Sequence, residues 1–168
     1  MINNCLTLEN ANAYLFWGGV WKMSYDNLAS TTLIPCGVYS ELAPNSKGYI
    51  VTGDYYALRH FSEFIRPGYT RVANTVTHLV SEMMTDVRAS SYLSPDGQRL
   101  VIVLMNNGKK PQQLKLSTGD FGGNSQVFQS VFSDGYTSDM LYQNLGSLNT
   151  DIPLALPASS VTTVVLDR

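Results

Sequence analysis

Charged residues are scarce in this 168-residue chain, where they make up 14% of the sequence and leave a net charge of −2. The eleven lysines and arginines form no run, so the chain shows no basic patch that would bind nucleic acids or anionic membrane surfaces. Long apolar stretches are missing too, because the longest, LVIVLM at 100–105, is far too short to cross a bilayer. We therefore expect neither a nucleic-acid partner nor a membrane span.

Cysteine is represented by only two residues, Cys5 and Cys36, whose spacing fits no CxxC metal pattern. One disulfide and two unpaired thiols are both compatible with them. Glycine-rich phosphate loops and nucleophile motifs are absent as well, and His60 is interpreted as a residue of a helix surface. Asp134 and Asp139 lack the run of alternating carboxylates that typical calcium loops have. We expect no cofactor and no metal.

One segment, DYYALRHFSEFI at 54–65, has a clear helical pattern. Leu58, Phe61 and Ile65 follow the i, i+3, i+7 spacing of a single buried stripe. The helix must stop before Pro67, because proline cannot continue it and the glycine after it has a permissive backbone. A stripe of this kind drives association when it is exposed. We expect it to pack against the rest of the chain or to be covered in a homodimer.

After the helix, strand-like segments follow one another at the short spacing of an antiparallel sandwich. They are residues 69–80, 87–94, 99–107, 112–117, 125–133, 139–145, 151–157 and 159–168. SPDGQ at 94–98 places Asp-Gly between two such segments and predicts a hairpin. The apolar run that begins at Arg99 predicts a strand buried on both faces. The expected fold class is mainly β, an antiparallel β-sandwich over residues 69–168 together with one α-helix.

Before the helix, residues 1–68 combine an apolar strand with a long loop. The strand pattern is AYLFWGGVW at 13–21, and the loop extends over about 24–53. Loops of that length are uncommon inside compact domains unless they have a function or have lost their neighbours. We therefore predict a domain boundary between residues 68 and 69.

Three segments, in this order, resemble the C-terminal end of glycoside hydrolase family 30. They are YYALRHFSEFIRPGYTRV, then SSYLSPDGQRLVIVLMNN, and finally LPASSVTTVVLDR. The resemblance implies that the helix is the last one of a (β/α)8 barrel, that NANAYLFWGGVW is the eighth barrel strand, and that an appended β-sandwich follows. It also implies a secreted or extracellular location as part of a larger enzyme, although the first sixteen residues show no signal-peptide pattern.

The family cleaves its substrate with two glutamates on the fourth and seventh barrel strands, and this chain resembles only the part after both. Retaining hydrolysis needs two carboxylates about 5 Å apart across the scissile bond. Glu41 in the long loop and Glu63 on the helix are interpreted as solvated surface charges. We predict no catalytic residue in this chain, while the parent enzyme that it resembles is a retaining hydrolase.

Sugar binding is the chemistry that the sequence still supports, since aromatic rings stack on the C–H faces of sugars and polar side chains pair with their hydroxyls. The resemblance places Trp17 at the end of the eighth barrel strand, with a core aromatic as the alternative. A second aromatic platform is predicted in the sandwich, at Phe128, Phe132, Tyr136 and Tyr142. The predicted carbohydrate-binding residues are Trp17, Trp21, Lys22, Tyr25 and Tyr136.

Three functions remain open. The first is a non-catalytic module that binds plant cell-wall polysaccharide, with a xylan-like polysaccharide or oligosaccharide as its partner. The second is the C-terminal part of an endo-xylanase-type hydrolase that is active only with the missing barrel part. The third is a purely structural side domain. The resemblance implies that a glucuronoxylanase would carry an arginine-rich stretch in the loop after Trp21 to bind the glucuronate carboxylate. Lys22 is the only basic residue at that place, so recognition of glucuronate is not indicated.

Overall fold

The computed structural model describes residues 2–15, 33–35, 49–51, 53–75, 86–121, 123–132, 140–149 and 151–168. The helices found there are α1 (Ile2–Thr7) and α2 (Gly53–Ser62). The strands are β1 (Leu33–Pro35), β2 (Tyr49–Val51), β3 (Thr70–Val72), β4 (Val87–Leu93), β5 (Arg99–Asn106), β6 (Gln112–Leu114), β7 (Ser125–Val131), β8 (Met140–Gly146), β9 (Leu154–Leu156) and β10 (Ser160–Asp167). The expected mainly β class is confirmed.

The main body of the fold is a six-stranded sheet in the order β3-β4-β5-β10-β7-β8, in which all neighbours are antiparallel. Two further strand pairs, β1-β2 and β6-β9, form small antiparallel sheets. Each strand-like segment predicted after the helix contains one of the strands β3 to β10. The segment 69–80 is the least complete of them, because β3 ends at Val72 and residues 73–75 are irregular.

The predicted hairpin joins β4 to β5, with Leu93 opposite Leu100. Gly97 occupies the left-handed region at φ 69°, which a glycine adopts without steric cost. The side chain of Asp96 closes the turn, since it accepts hydrogen bonds from the Ser94 hydroxyl at 2.5 Å and from the backbone N–H of Gln98 at 3.1 Å. The Asp-Gly turn signal was therefore sufficient to locate this hairpin.

Strand β5 is buried on both faces, as its unbroken apolar run predicted. Its even-numbered residues Ile102 and Leu104 join one hydrophobic cluster, and its odd-numbered Val101 and Val103 join another. The first cluster includes Leu156 of β9, so the β6-β9 pair covers that face. The second cluster contains residues of both helices. The six-stranded sheet is thus the middle layer between a small sheet and two helices.

Two of the three residues of the predicted apolar stripe pack on this sheet, whereas the third, Leu58, is half-buried and is not among the residues of the second cluster. Phe61 is buried in the second cluster, and Ile65 packs against that cluster from the turn after the helix. A helical hydrogen bond from the N–H of Ile65 to the carbonyl of Phe61 shows that the helical path continues until just before Pro67. Gly68 then takes a φ of 91°, which redirects the chain into β3. The predicted stop signal is confirmed.

The N-terminal part differs from the sequence expectation. The structure adds a second helix, α1, where no helix was predicted. Residues 13–15, the described start of the predicted strand, are irregular, and β1 and β2 pair within the segment expected to be a loop. Within the described ranges, no helix is long and apolar enough to cross a membrane.

Candidate functional site

All five residues predicted to bind carbohydrate lie outside the described residues. Four of them, Trp17, Trp21, Lys22 and Tyr25, fall in the gap between 15 and 33, and Tyr136 falls between 132 and 140. Cys36, Glu41, His78, Asp134 and Asp139 lie outside as well. Their predicted roles stay predictions. Cys5 is described, and it carries a free, half-buried thiol.

A cluster of aromatic and charged side chains joins α2 to the sheet, and we call it the helix-anchoring cluster. It consists of Arg59, Glu63, Phe64, Phe128 and Tyr142. The rings of Phe128 and Tyr142 stack with centroids 5.5 Å apart, and Phe64 lies 4.8 Å from Phe128. The guanidinium of Arg59 covers the Tyr142 ring at 3.8 Å from its centroid, a cation–π contact. These contacts fix the helix against β7 and β8.

Polar bonds complete this cluster. Arg59 pairs with Glu63 at 2.7 Å, and the hydroxyl of Tyr142 donates to the same carboxylate at 2.5 Å. Partial burial alone would raise the pKa of Glu63, but the hydrogen bonds from Arg59 and Tyr142 outweigh it and lower that pKa. Burial first, and then the bond to Glu63, raise the pKa of Tyr142 well above its usual range. Tyr142 is therefore held as a neutral donor.

The helix-anchoring cluster corrects two predictions. Phe128 and Tyr142 were expected to form a platform for sugars, but they stack on each other and are covered by residues of the helix segment. Phe132 is partly buried against the second hydrophobic cluster. Glu63 was expected to be a solvated surface charge, but it has two hydrogen-bonded partners. Because the helix packs on the sheet, as the sequence pattern predicted, the rings of Phe128 and Tyr142 and the carboxylate of Glu63 contact other side chains of the protein.

His60 was expected on the helix surface, and that prediction was wrong, since its exposed fraction is 0%. Its Nδ1 lies 2.9 Å from the Thr163 hydroxyl, and its Nε2 lies 3.0 Å from the Ser130 hydroxyl. The Thr163 hydroxyl donates its single proton to the carbonyl of His60 and must accept from Nδ1–H. In the neutral ring that burial favours, Nε2 carries no proton and accepts from the Ser130 hydroxyl.

Desolvation is the main reason for this neutral state. It lowers the pKa of His60 to about 3, and the positive charge of Arg59 acts in the same direction, whereas Glu63 opposes it weakly. A buried, fully bonded imidazole with such a low pKa is unsuited to acid–base work near pH 7. The role that these contacts support is structural.

The carboxylates with described partners serve the fold in the same way. Besides Glu63, Asp167 accepts two bonds from Arg99, and Asp96 closes the β4-β5 turn. Among the described residues, no three His, Cys, Asp or Glu side chains lie close enough together to hold a metal ion. The remaining candidates for a binding site among the described residues are two cavities.

The first cavity, which we call the polar cleft, has a volume of 440 Å³. It lies where α2 has ended, on the face of the sheet that the helices cover. The pairing of Val165 with Gln126, and of Asp167 with Arg99, brings β7, β10 and β5 together there. Its lining consists of Phe64, Arg99, Asn124, Ser125, Gln126, Asn144, Gly146, Ser147, Val165 and Asp167.

One of the polar groups in the polar cleft is held by the backbone, because the side-chain oxygen of Asn144 accepts from the N–H of Gly146 at 2.8 Å. Ser125 also lines the cleft, but its hydroxyl oxygen accepts from the N–H of Leu148 at 2.9 Å on the face of the first hydrophobic cluster. The amides of Asn124 and Gln126 are exposed, and they make no side-chain hydrogen bond within the part of the chain that the structure describes. The cleft thus presents fixed and free polar groups side by side.

The second cavity, the apolar groove, has a volume of 690 Å³ and lies between the N-terminal segment and α2. Leu8 and Leu15, in the segment beside it, are 69% and 93% exposed. Two single exposed leucines are ordinary on a protein surface, so the surface that a partner could cover is the groove itself. The groove is lined by Ile2, Leu6, residues 10–14, Leu58, Phe61, Ser62, residues 65–71 and Tyr92.

A family model described as the glycosyl hydrolase family 30 beta sandwich domain matches residues 70–164, more than half of the chain. The chain belongs to glycosyl hydrolase family 30. The resemblance noted in the three sequence segments is thereby confirmed. The predicted domain boundary between residues 68 and 69 stays a prediction.

Two solved structures are similar to nearly the whole chain. A conserved exported protein from Bacteroides fragilis is 29% identical with a TM-score of 0.72, over 98% of this chain and 31% of that one. The family 30 subfamily 8 xylanase Xyn30A from Clostridium acetobutylicum is 26% identical with a TM-score of 0.67, over 99% of this chain and 37% of that one.

A curated relative covers a shorter part of the chain. The lysosomal acid glucosylceramidase of Mus musculus is 37% identical over 83 residues, which are 49% of this chain and 14% of that protein. The chain therefore spans about one third of the similar solved structures and a smaller share of this relative. The activities and substrates of those whole proteins are therefore assigned to this chain only as a proposal.

Proposed function

We propose that this chain is the non-catalytic part of a secreted family 30 glycoside hydrolase and that it binds plant cell-wall polysaccharide, with xylan as the first candidate. The observation that carries the proposal is the similarity of 99% of the chain to part of a xylanase at 26% identity and a TM-score of 0.67. An exported protein with a TM-score of 0.72 supports secretion of the parent enzyme. The polar cleft supplies a cavity of suitable chemistry.

Binding to xylan tests the proposal. Few stacking contacts and hydrogen bonds compete with water here, so we expect a dissociation constant in the micromolar to millimolar range. The measurement is retardation in a native gel that contains soluble xylan, followed by titration calorimetry with xylo-oligosaccharides. Because the net charge is only −2, the affinity should change little with salt. If no cell-wall glycan gives retardation or heat, the proposal is wrong and a structural role replaces it.

The predicted aromatic anchors are tested in the same assay. We expect Trp21→Ala to weaken binding, with Tyr136→Ala as the corresponding variant on the sandwich. Each variant removes one ring on which a sugar could stack. If both variants bind like the wild type, neither predicted aromatic site takes part in recognition.

Hydrolysis by the isolated chain is not part of the proposal. The carboxylates of Glu63, Asp96 and Asp167 hold the helix, the hairpin and a strand pair together. The proposal gives the chain no acid for proton transfer and no nucleophile for attack, so the isolated chain should release no reducing sugar from xylan or β-glucans. Turnover that Glu41→Gln or Glu63→Gln abolishes would contradict this expectation.

A second candidate function is favoured by the apolar groove, beside which Leu8 and Leu15 are exposed. In this alternative, the chain completes a hydrolase by docking against the rest of its barrel. Mixing the chain with the separately produced barrel part should then give xylanase activity that neither part has alone. The Leu15→Ser variant should weaken that complementation. A homodimer formed through this surface is the competing outcome, and sedimentation velocity at several concentrations would show it.

A further inference from the structure

The polar cleft differs in kind from the aromatic sites that the sequence predicted. It contains one partly buried aromatic ring, that of Phe64, and its other lining groups are mostly amides, hydroxyls and one ion pair. We propose that the polar cleft binds a single neutral sugar unit of the polysaccharide. This inference rests on the proposed function and assigns a site to it.

The hydrogen-bonding groups of the cleft match those of a sugar. Each sugar hydroxyl both donates and accepts, and a free side-chain amide does the same with its NH₂ group and its oxygen. Asn124 and Gln126 offer both capacities because they have no other side-chain bond among the described residues. Two amides facing the same cavity can therefore pair with neighbouring hydroxyls of one ring.

One further group is already oriented for this task. The backbone N–H of Gly146 holds the side-chain oxygen of Asn144, which leaves the NH₂ group of Asn144 available to donate. A group fixed before the ligand arrives loses less conformational entropy on binding, and this favours a weak ligand such as a sugar.

The charges of the cleft select against an anionic ligand. Arg99 is the positively charged residue of the lining, and it donates to both oxygens of Asp167 at 2.6 and 3.1 Å. A bidentate pair of this kind leaves no net charge for a uronate carboxylate to neutralise. A guanidinium has five N–H groups, so Asp167 does not occupy all of Arg99; a uronate carboxylate that approached the remaining ones would be repelled by Asp167, whereas a neutral hydroxyl would not.

Size and lining agree with this ligand. A volume of 440 Å³ lies at the small end of the range of about 300–1,000 Å³ for small-molecule sites. Phe64 and the buried Val165 supply the apolar part of the lining, against which the C–H groups of a sugar can pack. One sugar unit, with its neighbours extending into solvent, fits these dimensions.

The experiment compares the full chain with a double variant of the cleft, Asn124→Ala with Gln126→Ala, by calorimetry with xylotriose. Removing two neutral hydrogen bonds should weaken binding by about tenfold. The matched control is Gln113→Ala, which removes an exposed amide from β6 that is not part of the cleft lining, and it should bind like the wild type. Far-UV circular dichroism and thermal melting verify that all variants fold.

A second measurement does not depend on the variants' stability. In a ¹⁵N-labelled wild-type chain, the side-chain NH₂ signals of Asn124, Gln126 and Asn144 should shift with xylotriose, while those of Gln113 should not. A xylo-oligosaccharide that carries a glucuronate should shift them no more strongly than the neutral sugar does.

The outcomes separate the site from the function. If the wild type binds xylotriose and the double variant binds equally well with unshifted cleft amides, the inference is wrong and the proposed function survives. If the wild type binds no cell-wall glycan, both are wrong. Clearly tighter binding of the glucuronate-bearing sugar would overturn the assignment of a neutral ligand.

Discussion

Acid sensitivity should reveal the buried imidazole of His60. In the unfolded chain its pKa lies near 6.5, whereas desolvation, assisted by the charge of Arg59, lowers the folded pKa to about 3. As the pH falls below about 6.5, His60 becomes protonated in the unfolded state but stays neutral in the folded state. The stability contributed by neutral His60 is therefore fully present above that pH and is lost progressively as the pH falls toward 3.

The magnitude follows from the two pKa values. Each pKa unit corresponds to about 1.36 kcal/mol, so the complete loss, reached near pH 3, is about 4 to 5 kcal/mol. Between pH 7 and pH 5 the expected decrease in the free energy of unfolding is about 2 kcal/mol. Such a decrease is a large fraction of the stability of a typical small domain, which is about 5 to 15 kcal/mol.

Urea unfolding at pH 7, 6 and 5, followed by fluorescence and by circular dichroism, measures this decrease. In His60→Gln, a neutral amide can still bond to Thr163 and Ser130, and we expect the pH dependence between pH 7 and pH 5 to disappear. His78→Gln, which replaces the chain's other histidine, is the matched control and should keep the wild-type dependence. A flat wild-type profile, or an unchanged slope in His60→Gln, would refute the reasoning.

Two other changes test the packing, both by urea unfolding at pH 7. Tyr142→Phe removes the hydroxyl that donates to Glu63 and should lower the free energy of unfolding by about 1 to 2 kcal/mol, whereas a wild-type value would mean that this bond contributes nothing in solution. Leu104→Ala empties a position that is 1% exposed and should cost about 2 to 5 kcal/mol, while Leu145→Ala, at a position 47% exposed, should change the stability by about 0.5 kcal/mol or less.

The sequence predicted the sandwich well because its signals are local. Alternation and short apolar runs located β4 to β10, and the Asp-Gly pair located the β4-β5 turn. The spacing of the apolar stripe predicted the packing of Phe61 and Ile65 on the sheet, while Leu58 of the same stripe is not part of the packed cluster. Helix α1 was missed because its six residues, INNCLT, are too few to show a helical period.

The environment of His60 could not be predicted in this way. Its partners Ser130 and Thr163 are 70 and 103 residues away in the chain, and they are ordinary strand residues in the sequence. A histidine beside an apolar stripe is compatible with solvent or with burial, and the difference depends on whether hydroxyls face it. The clue that the sequence does contain is the position of His60 directly before Phe61, at the edge of the buried stripe.

The polar cleft depends even more on long-range pairing, specifically on the register of β10 between β5 and β7. Side chains alternate between the faces of a strand, so a shift of one residue would move Val165 and Asp167 to the opposite face and separate Asp167 from Arg99. That register is held by the apolar residues of β5 and β10 that fill the two hydrophobic clusters. Hydrophobic residues that do not line the cleft thus determine which polar groups meet there. For this reason local sequence patterns predict the core of such a sandwich, whereas predicting the polar groups of its cleft requires knowledge of how the strands pair.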